Sequence, residues 1–324
     1  MGESRNHLVG VDLGGTKILA GVFDEKLNCL GKAKLRTKSE RGADGVIERI
    51  ARCVRDALDE CDLAMDSVRG VAIGAPGAVD AEAGRVIFAP NLGWKDVPLQ
   101  RELEGLLGVP VVVENDCKLN GLGVFEAEYR GKPRQLIGIF LGTGIGAGIF
   151  LDGKPYGGFN GTAGEIGHMV LDVDGPECGC GNRGCFEALA SRRALFRRIE
   201  TAVRQGQPTV LTEMLGPGLD DLRSGDLRKA IRRGDRFVET VVEEAAQYTG
   251  IACGNLINLF NPEVIVLGGG IIDQLELEMM PVIEKVARAH ALRGTDKGIR
   301  IVATKLGDNA GITGGAVLAA RLGR

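Results

Sequence analysis

The chain is 324 residues long, with 44% apolar and 26% charged residues and a formal net charge of −3. That balance excludes a disordered chain and a strongly basic polyanion binder, and the 4% aromatic content supplies few stacking platforms for single-stranded nucleic acid. Fifty residues are glycine, well above the usual share of roughly 7%; without a Gly-X-Y period, they imply positions where backbone turns sharply or closely approaches a ligand.

In chain order, Met1–His7 is polar and lacks the apolar core of a secretory signal. Leu8–Phe23 reads as an apolar strand, a Gly/Thr turn and a second apolar strand, a β-hairpin. In its turn, Gly14 and Gly15 expose backbone N–H groups to an anion, Thr16 adds a hydroxyl, and Asp12 stands where a carboxylate can hold Mg²⁺ through water. Such a turn alone is also simply a turn. Ile47, Ile50, Ala51, Val54, Leu58 and Cys61 follow helical spacing. Val71–Asp80 is a short buried-type strand running into a glycine turn. Val111–Asp116 runs three β-branched residues into Glu114, Asn115 and Asp116. A carboxylate at a strand end suits a general base for a substrate hydroxyl; the same motif is also an Asx cap on the following helix.

The second half repeats the first. Leu136–Phe150 echoes the opening hairpin, with Gly142, Thr143 and Gly144 in its turn, and Ile265–Asp273 echoes Val71–Asp80 through Gly268, Gly269 and Gly270. Two equivalent turns facing each other across a cleft suit a polyphosphate. Neither is a P-loop or a dinucleotide fingerprint. Leu136–Leu151 is too short and glycine-rich to span a bilayer. Phe237–Phe260 reads as a long helix stopped by Asn261-Pro262, and Gly311–Arg321 as a final helix. Strands alternating with helices indicate an α/β protein. The expected division is a small domain over 1–116, completed by the helix at 311–324, and a larger domain over 117–310.

Between these elements lies His168, followed by Cys178, Cys180 and Cys185. Three thiolates and an imidazole at this spacing form a tetrahedral zinc set with no open position, a structural site. Glu165 and Glu187 flank it, and convergent polar groups are what a polyhydroxylated ligand requires. The other five cysteines read as small buried hydrophobes. Absence of a signal together with clustered thiols points to a reducing, cytoplasmic compartment.

The motifs DLGGTK (12–17), GAPGAVD (74–80), APNLGW (89–94), VENDC (113–117), LGTGIGAGI (141–149), GEIGH (164–168), CGCGNRGCFE (178–187) and VLGGG (266–270) resemble those of the ROK family. The resemblance runs from Leu8 to about Leu318. It implies an actin-like, hexokinase-type ATPase fold of two duplicated α/β domains around a cleft. It also implies ATP-dependent phosphorylation of a hexose 6-hydroxyl: glucose first, with N-acetylmannosamine, N-acetylglucosamine and fructose as alternatives, and a non-catalytic sugar-responsive regulator after them. By the same resemblance, Asp116 is the base, and Asn91, Asn115, Glu165, His168 and Glu187 bind sugar hydroxyls. His168 serves zinc and sugar together. Asp12, Gly14–Thr16 and Gly142–Gly144 hold Mg²⁺ and the ATP phosphates. Gly268–Gly270 lie near the adenosine, and Lys17 completes the motif. Homodimers or homotetramers, with no membrane or nucleic-acid partner, are implied as well. The family's transcriptional repressors carry an additional N-terminal DNA-binding domain; here the hairpin begins at Leu8. One departure stands out: Cys117-Lys118-Leu119 follows Asp116 where small residues are usual. Lys118 either faces the sugar site or points to solvent.

Overall fold

The computed structural model describes residues 5–322. Met1–Ser4, part of the polar segment Met1–His7, and the last two residues of the expected final helix lie outside the described residues.

The chain opens with the strands β1 (His7–Leu13), β2 (Lys17–Phe23) and β3 (Cys29–Arg36), then helix α1 (Gly42–Asp59). Strands β4 (Val68–Ala75), β5 (Ala78–Asp80), β6 (Arg85–Ala89) and β7 (Trp94–Val97) follow. Next come α2 (Leu99–Leu107), β8 (Val111–Asn115) and α3 (Asp116–Gly123). The second series is β9 (Leu136–Leu141), β10 (Ile145–Leu151) and β11 (Lys154–Pro155). It continues with α4 (Phe186–Ala190), α5 (Arg192–Arg204), α6 (Val210–Leu215), α7 (Ser224–Arg232) and α8 (Arg236–Phe260). Strand β12 (Val264–Gly268), α9 (Ile272–His290), β13 (Arg300–Ala303) and α10 (Ala310–Ala319) complete it.

The two main sheets share one plan. The first has the order β3-β2-β1-β4-β8 and the second β11-β10-β9-β12-β13. In each, the outer hairpin strand pairs antiparallel with its neighbour, and the last two strands run parallel to the first strand of the hairpin. The repeat expected from sequence is therefore a repeat of topology. Parallel strands covered on both faces need apolar residues throughout, and Val264–Gly268 is buried along its whole length. Helix α1 places Val46, Ile47, Ile50, Val54 and Leu58 against the first sheet, the face its spacing predicts. A small third sheet, β5-β6-β7, gives no comparable signal in the sequence; it carries the buried Trp94.

The molecule forms two compact units. One comprises Met1–Pro133, Gly148–Gly164 and Asp308–Arg324; the other comprises Arg134–Ala147 and Glu165–Gly307. All eight cysteines are free thiols. Cys53 and Cys253 are buried as expected, but Cys61 and Cys117 are only partly covered, and Cys29 is exposed at the open start of β3, where Leu30 is exposed as well.

Much of the glycine excess in the first unit serves packing rather than ligand approach. Helix α10 is buried along nearly its whole length and lies backbone-to-backbone against β1 and α3. A Cβ on Gly10 would stand 1.8 Å from the Ile312 carbonyl oxygen, and one on Gly314 would stand 1.8 Å from that of Leu119. A Cβ on Gly123 would meet the Ala310 carbonyl oxygen at 2.1 Å. No side chain fits there, so the sequence Gly311-Ile-Thr-Gly-Gly315 is fixed by closeness and not by propensity. Gly314→Ala is expected to destabilise the fold by roughly 3 kcal/mol or more through overpacking. Gly105→Ala, in α2 with nothing within 4 Å, is expected to stabilise by roughly 0.5–1 kcal/mol through helix propensity. Denaturant melts of the two variants check the contrast; equal effects would contradict it.

Candidate functional site

In the first unit, the β1–β2 turn closes through Gly14 N–H donating to the Lys17 carbonyl at 2.8 Å, and the Thr37 hydroxyl holds the Gly14 carbonyl at 2.6 Å. Among the described residues, the N–H groups of Gly15 and Thr16 have no protein acceptor. The second unit repeats this arrangement. Gly142 N–H donates to the Gly144 carbonyl at 2.9 Å, while those of Thr143 and Gly144 have no protein acceptor among the described residues. Each turn thus presents two adjacent N–H groups, the donor pattern that binds phosphate oxygens.

Around the first turn the structure gathers Asp12, Asn91 and the start of α10. A Cβ on Gly15 would lie 3.3 Å from Asn91 Nδ2, and one on Gly311 would lie 3.1 Å from the Asp12 Cβ. Asp12 is half-buried, and burial pushes its carboxyl up to about 6, with Lys17 lowering it and Asp308 raising it by smaller amounts. Lys17 is ion-paired with Asp308, which Lys34 also approaches at 3.8 Å. Burial opposes ionisation of Asp308, but the hydrogen bond and charge of Lys17 outweigh it and hold the carboxyl below its ordinary range. The motif's lysine is therefore committed to a carboxylate. Sequence reasoning missed Asp308, which precedes α10 with no periodic signal of its own.

The strand-end motif shows its capping reading. Asn115 is the N-cap of α3: its Oδ1 accepts from Cys117 N at 3.0 Å and Lys118 N at 3.2 Å. Its Nδ2 donates to the Gly77 carbonyl at 3.1 Å. An amide has two lone pairs and two N–H hydrogens at its tip, so one hydrogen remains for another acceptor. Asp116 begins the helix, with Oδ1 accepting from Cys117 N at 2.8 Å. A Cβ on Gly74 would come within 3.0 Å of the Asp116 Cα, so the GAPGAVD segment packs directly beneath it. Lys118 does not run into solvent. It donates to the Gly161 carbonyl and pairs with Glu114 at 3.6 Å.

In the second unit, His168 ends a single turn spanning Ile166–His168. The following loop is drawn back by Cys178 N–H donating to the Asn182 carbonyl at 2.8 Å and by pairing of Val170 with Cys185. Gly184 adopts φ +66°, and a Cβ there would stand 1.5 Å from the Asp172 carbonyl oxygen. This reversal brings one donor atom each from His168, Cys178, Cys180 and Cys185 within 4.8 Å of one another. Cys178 Sγ lies 3.7 Å from His168 Nδ1, and Cys180 Sγ lies 3.7 Å from Cys185 Sγ. A tetrahedral ion with metal–sulfur bonds of about 2.3 Å requires sulfur–sulfur edges of about 3.8 Å, so the donor set fits. Burial pushes the Cys185 thiol up to about 12, with Cys180 and Cys178 adding to the rise. Thiols this close ionise together only around a cation.

Glu187, in the first turn of α4, does not stand apart with that cluster. Its Oε2 accepts from Ile145 N at 2.9 Å, and a Cβ on Gly144 would collide with it. Glu165 is exposed at the turn before His168. Gly269 packs against the Leu141 backbone at φ +89°, and Ile271 N–H donates to the Leu141 carbonyl at 3.1 Å. The β12 end and the second turn therefore adjoin. Arg192, which no motif singles out, donates to the Thr143 hydroxyl.

Residues 8–322 match the ROK family. The chain belongs to the ROK family. It is 35% identical over 314 residues to a glucokinase of Streptomyces coelicolor, covering 96% of each chain. It is 34% identical over 322 residues to a glucokinase of Thermotoga maritima, covering 98% of each. The crystal structure of a ROK family glucokinase from Streptomyces griseus in complex with glucose and AMPPNP matches with a TM-score of 0.84 at 35% identity. That match covers 96% of this chain and 98% of the other. The fold is accordingly the actin-like ATPase fold that the motifs implied. No helix among the described residues is long and apolar enough to cross a membrane.

The Asp12 shift has a testable sign. The folded carboxyl titrates near 6 against an ordinary 3.8, so the native state binds the proton more tightly. Ionisation then costs stability as pH rises through that window. Asp12→Asn removes the cost. Relative to the unaltered protein, it is expected to gain on the order of 1–3 kcal/mol between about pH 4 and pH 7. Thermal melts across that range check it; a difference independent of pH would contradict it.

Proposed function

We propose that this ROK protein is an ATP-dependent hexose kinase that phosphorylates the 6-hydroxyl of glucose. One observation carries the reading: the duplicated sheet presents two equivalent turns, each with two N–H groups unclaimed by protein acceptors among the described residues. The similarity to glucokinases along nearly the whole chain supports glucose.

Phosphoryl transfer depends on positioning and charge neutralisation. Gly14–Thr16 and Gly142–Gly144 would hold the phosphates, and Gly268–Gly270 would lie along the adenosine. Asp116 would accept the proton of the 6-hydroxyl as its oxygen attacks the γ-phosphorus in line. Asn115 fixes the start of α3, and so Asp116, and has one N–H left for a sugar oxygen. Asn91, Glu165, His168 and Glu187 would bond the remaining hydroxyls, with Glu187 also bracing the second turn. A single half-buried carboxylate suits Mg²⁺, which keeps most of its waters; Asp12 would hold the ion, which would neutralise phosphate charge. Lys17, committed to Asp308, would balance the carboxylates rather than touch phosphate.

For the cysteine cluster the proposal is structural zinc. An ion on Nδ1 would fix the His168 tautomer with its proton on Nε2, a donor for a sugar hydroxyl. Reduced thiols fit a cytoplasmic location. Assembly as a homodimer or homotetramer follows only from family resemblance, and light scattering decides it.

In a coupled ADP assay over hexoses and 2-acetamido sugars, glucose is expected to give the highest kcat/KM. Asp116→Ala is expected to lower kcat by roughly 10²–10⁴. A variant with near-normal kcat would remove Asp116 from the base role. Metal analysis is expected to find about one zinc per chain, reduced in Cys180→Ser together with a raised glucose KM. Undiminished zinc in that variant would show the ligand set to be wrong.

A further inference from the structure

The second turn carries a cation that the family motifs do not mark. Arg192 opens α5, and its backbone N–H donates to the Gly142 carbonyl at 3.0 Å. Its guanidinium does not extend outward like those of its exposed neighbours Arg193 and Arg197. It folds back along the turn, and Nη2 donates to the Thr143 hydroxyl. The side chain is half-buried, and among the described residues no carboxylate lies within ion-pairing distance of it. Glu187, the carboxylate that touches the same turn, accepts from Ile145 N at its Oε2. Burial, with the charge of Arg193, pulls the Arg192 guanidinium below its ordinary value. A partly desolvated cation without a counter-ion is a standing electrostatic cost, and an anion at the turn removes it.

The contrast with the first turn is informative. There the motif's cation, Lys17, already has Asp308. At the second turn the cation has no carboxylate partner among the described residues, and the N–H groups of Thr143 and Gly144 have no protein acceptor among them. A guanidinium has five donors in a rigid plane and stays charged at any enzyme pH. With one donor on Thr143, the others remain for phosphate oxygens.

We propose that Arg192 is a phosphate-contacting residue of this enzyme, neutralising the terminal phosphates of the nucleotide while orienting Thr143. The inference deepens the kinase reading and rests on it. In the transfer step, the bond between the γ-phosphorus and the ADP oxygen breaks as the bond to the sugar oxygen forms. The sugar proton passes to Asp116. Arg192 forms no covalent bond; it offsets negative charge on the phosphoryl oxygens and on the departing ADP.

The test compares the unaltered chain with Arg192→Ala, Arg192→Gln and Arg192→Lys, using Arg193→Ala as control. Calorimetry would measure affinity for Mg·ADP and, separately, for adenosine, which has no phosphate. Arg192→Ala and Arg192→Gln are expected to lose at least roughly tenfold in Mg·ADP affinity with adenosine unchanged. Their kcat/KM for Mg·ATP is expected to fall roughly 10²-fold or more, with the glucose KM nearly unchanged. Arg192→Lys is expected to recover part of both losses, and Arg193→Ala to match the unaltered chain. Unchanged Mg·ADP affinity would overturn the assignment. So would equal losses for adenosine and Mg·ADP in both neutral variants, because Arg192 would then only hold the turn in shape. An unaltered chain that releases no ADP with any sugar refutes the kinase reading, whereas the Mg·ADP titration still decides Arg192.

Discussion

The fold depends on the close approach of one helix backbone to a strand and a second helix. Helix α10 meets β1 at Gly10 and α3 at Gly123 at distances that leave no space for a side chain. Two consequences follow from that contact. Asp12, at the end of β1, lies under Gly311 and is partly shielded from water. Asn120 of α3 donates to the Asp116 carbonyl at 2.9 Å and stands beside the same glycine. The carboxylates proposed for Mg²⁺ and for proton transfer therefore rest on neighbouring parts of one tightly packed layer.

The second unit secures its groups by different means. A loop rich in glycine cannot be held by apolar side chains, and the segment from Gly175 to Gly184 has few of them. Four metal-type donors, His168 among them, gather there instead, the last of them just before α4. Glu187, two residues beyond the last thiol, then braces the phosphate-type turn at Ile145. The His/Cys cluster and the second turn are thus joined through a single carboxylate, and Arg192 flanks the turn from the next helix. The two turns are alike in backbone and unlike in charge. The first has its lysine neutralised by Asp308, and the second keeps a cation available.

What the sequence makes legible is what local physics repeats. The hairpins, the buried strands and the faces of α1 and α8 follow from periodicity, and the metal set follows from spacing. Less legible are features set by distance in space. Arg192 sits among other arginines and shows no pattern until Thr143 is brought to it. Asn115 reads from the sequence as a cap or as part of a site, and only its hydrogen bonds show that it serves as cap while retaining one donor. Lys118, anomalous as a residue type, becomes ordinary once Glu114 and the Gly161 carbonyl are found beside it. The glycine excess is the clearest case. Composition implies close approach, but much of what is approached around α10 is the protein's own backbone.

The central claim is chemical: phosphate moves from ATP to the 6-hydroxyl of a hexose. Phosphorus NMR of the product formed from glucose tests it most directly. The account predicts one phosphomonoester signal split by the two protons on C6, and none with 6-deoxyglucose. A phosphate on the anomeric carbon, or inorganic phosphate alone, would contradict it.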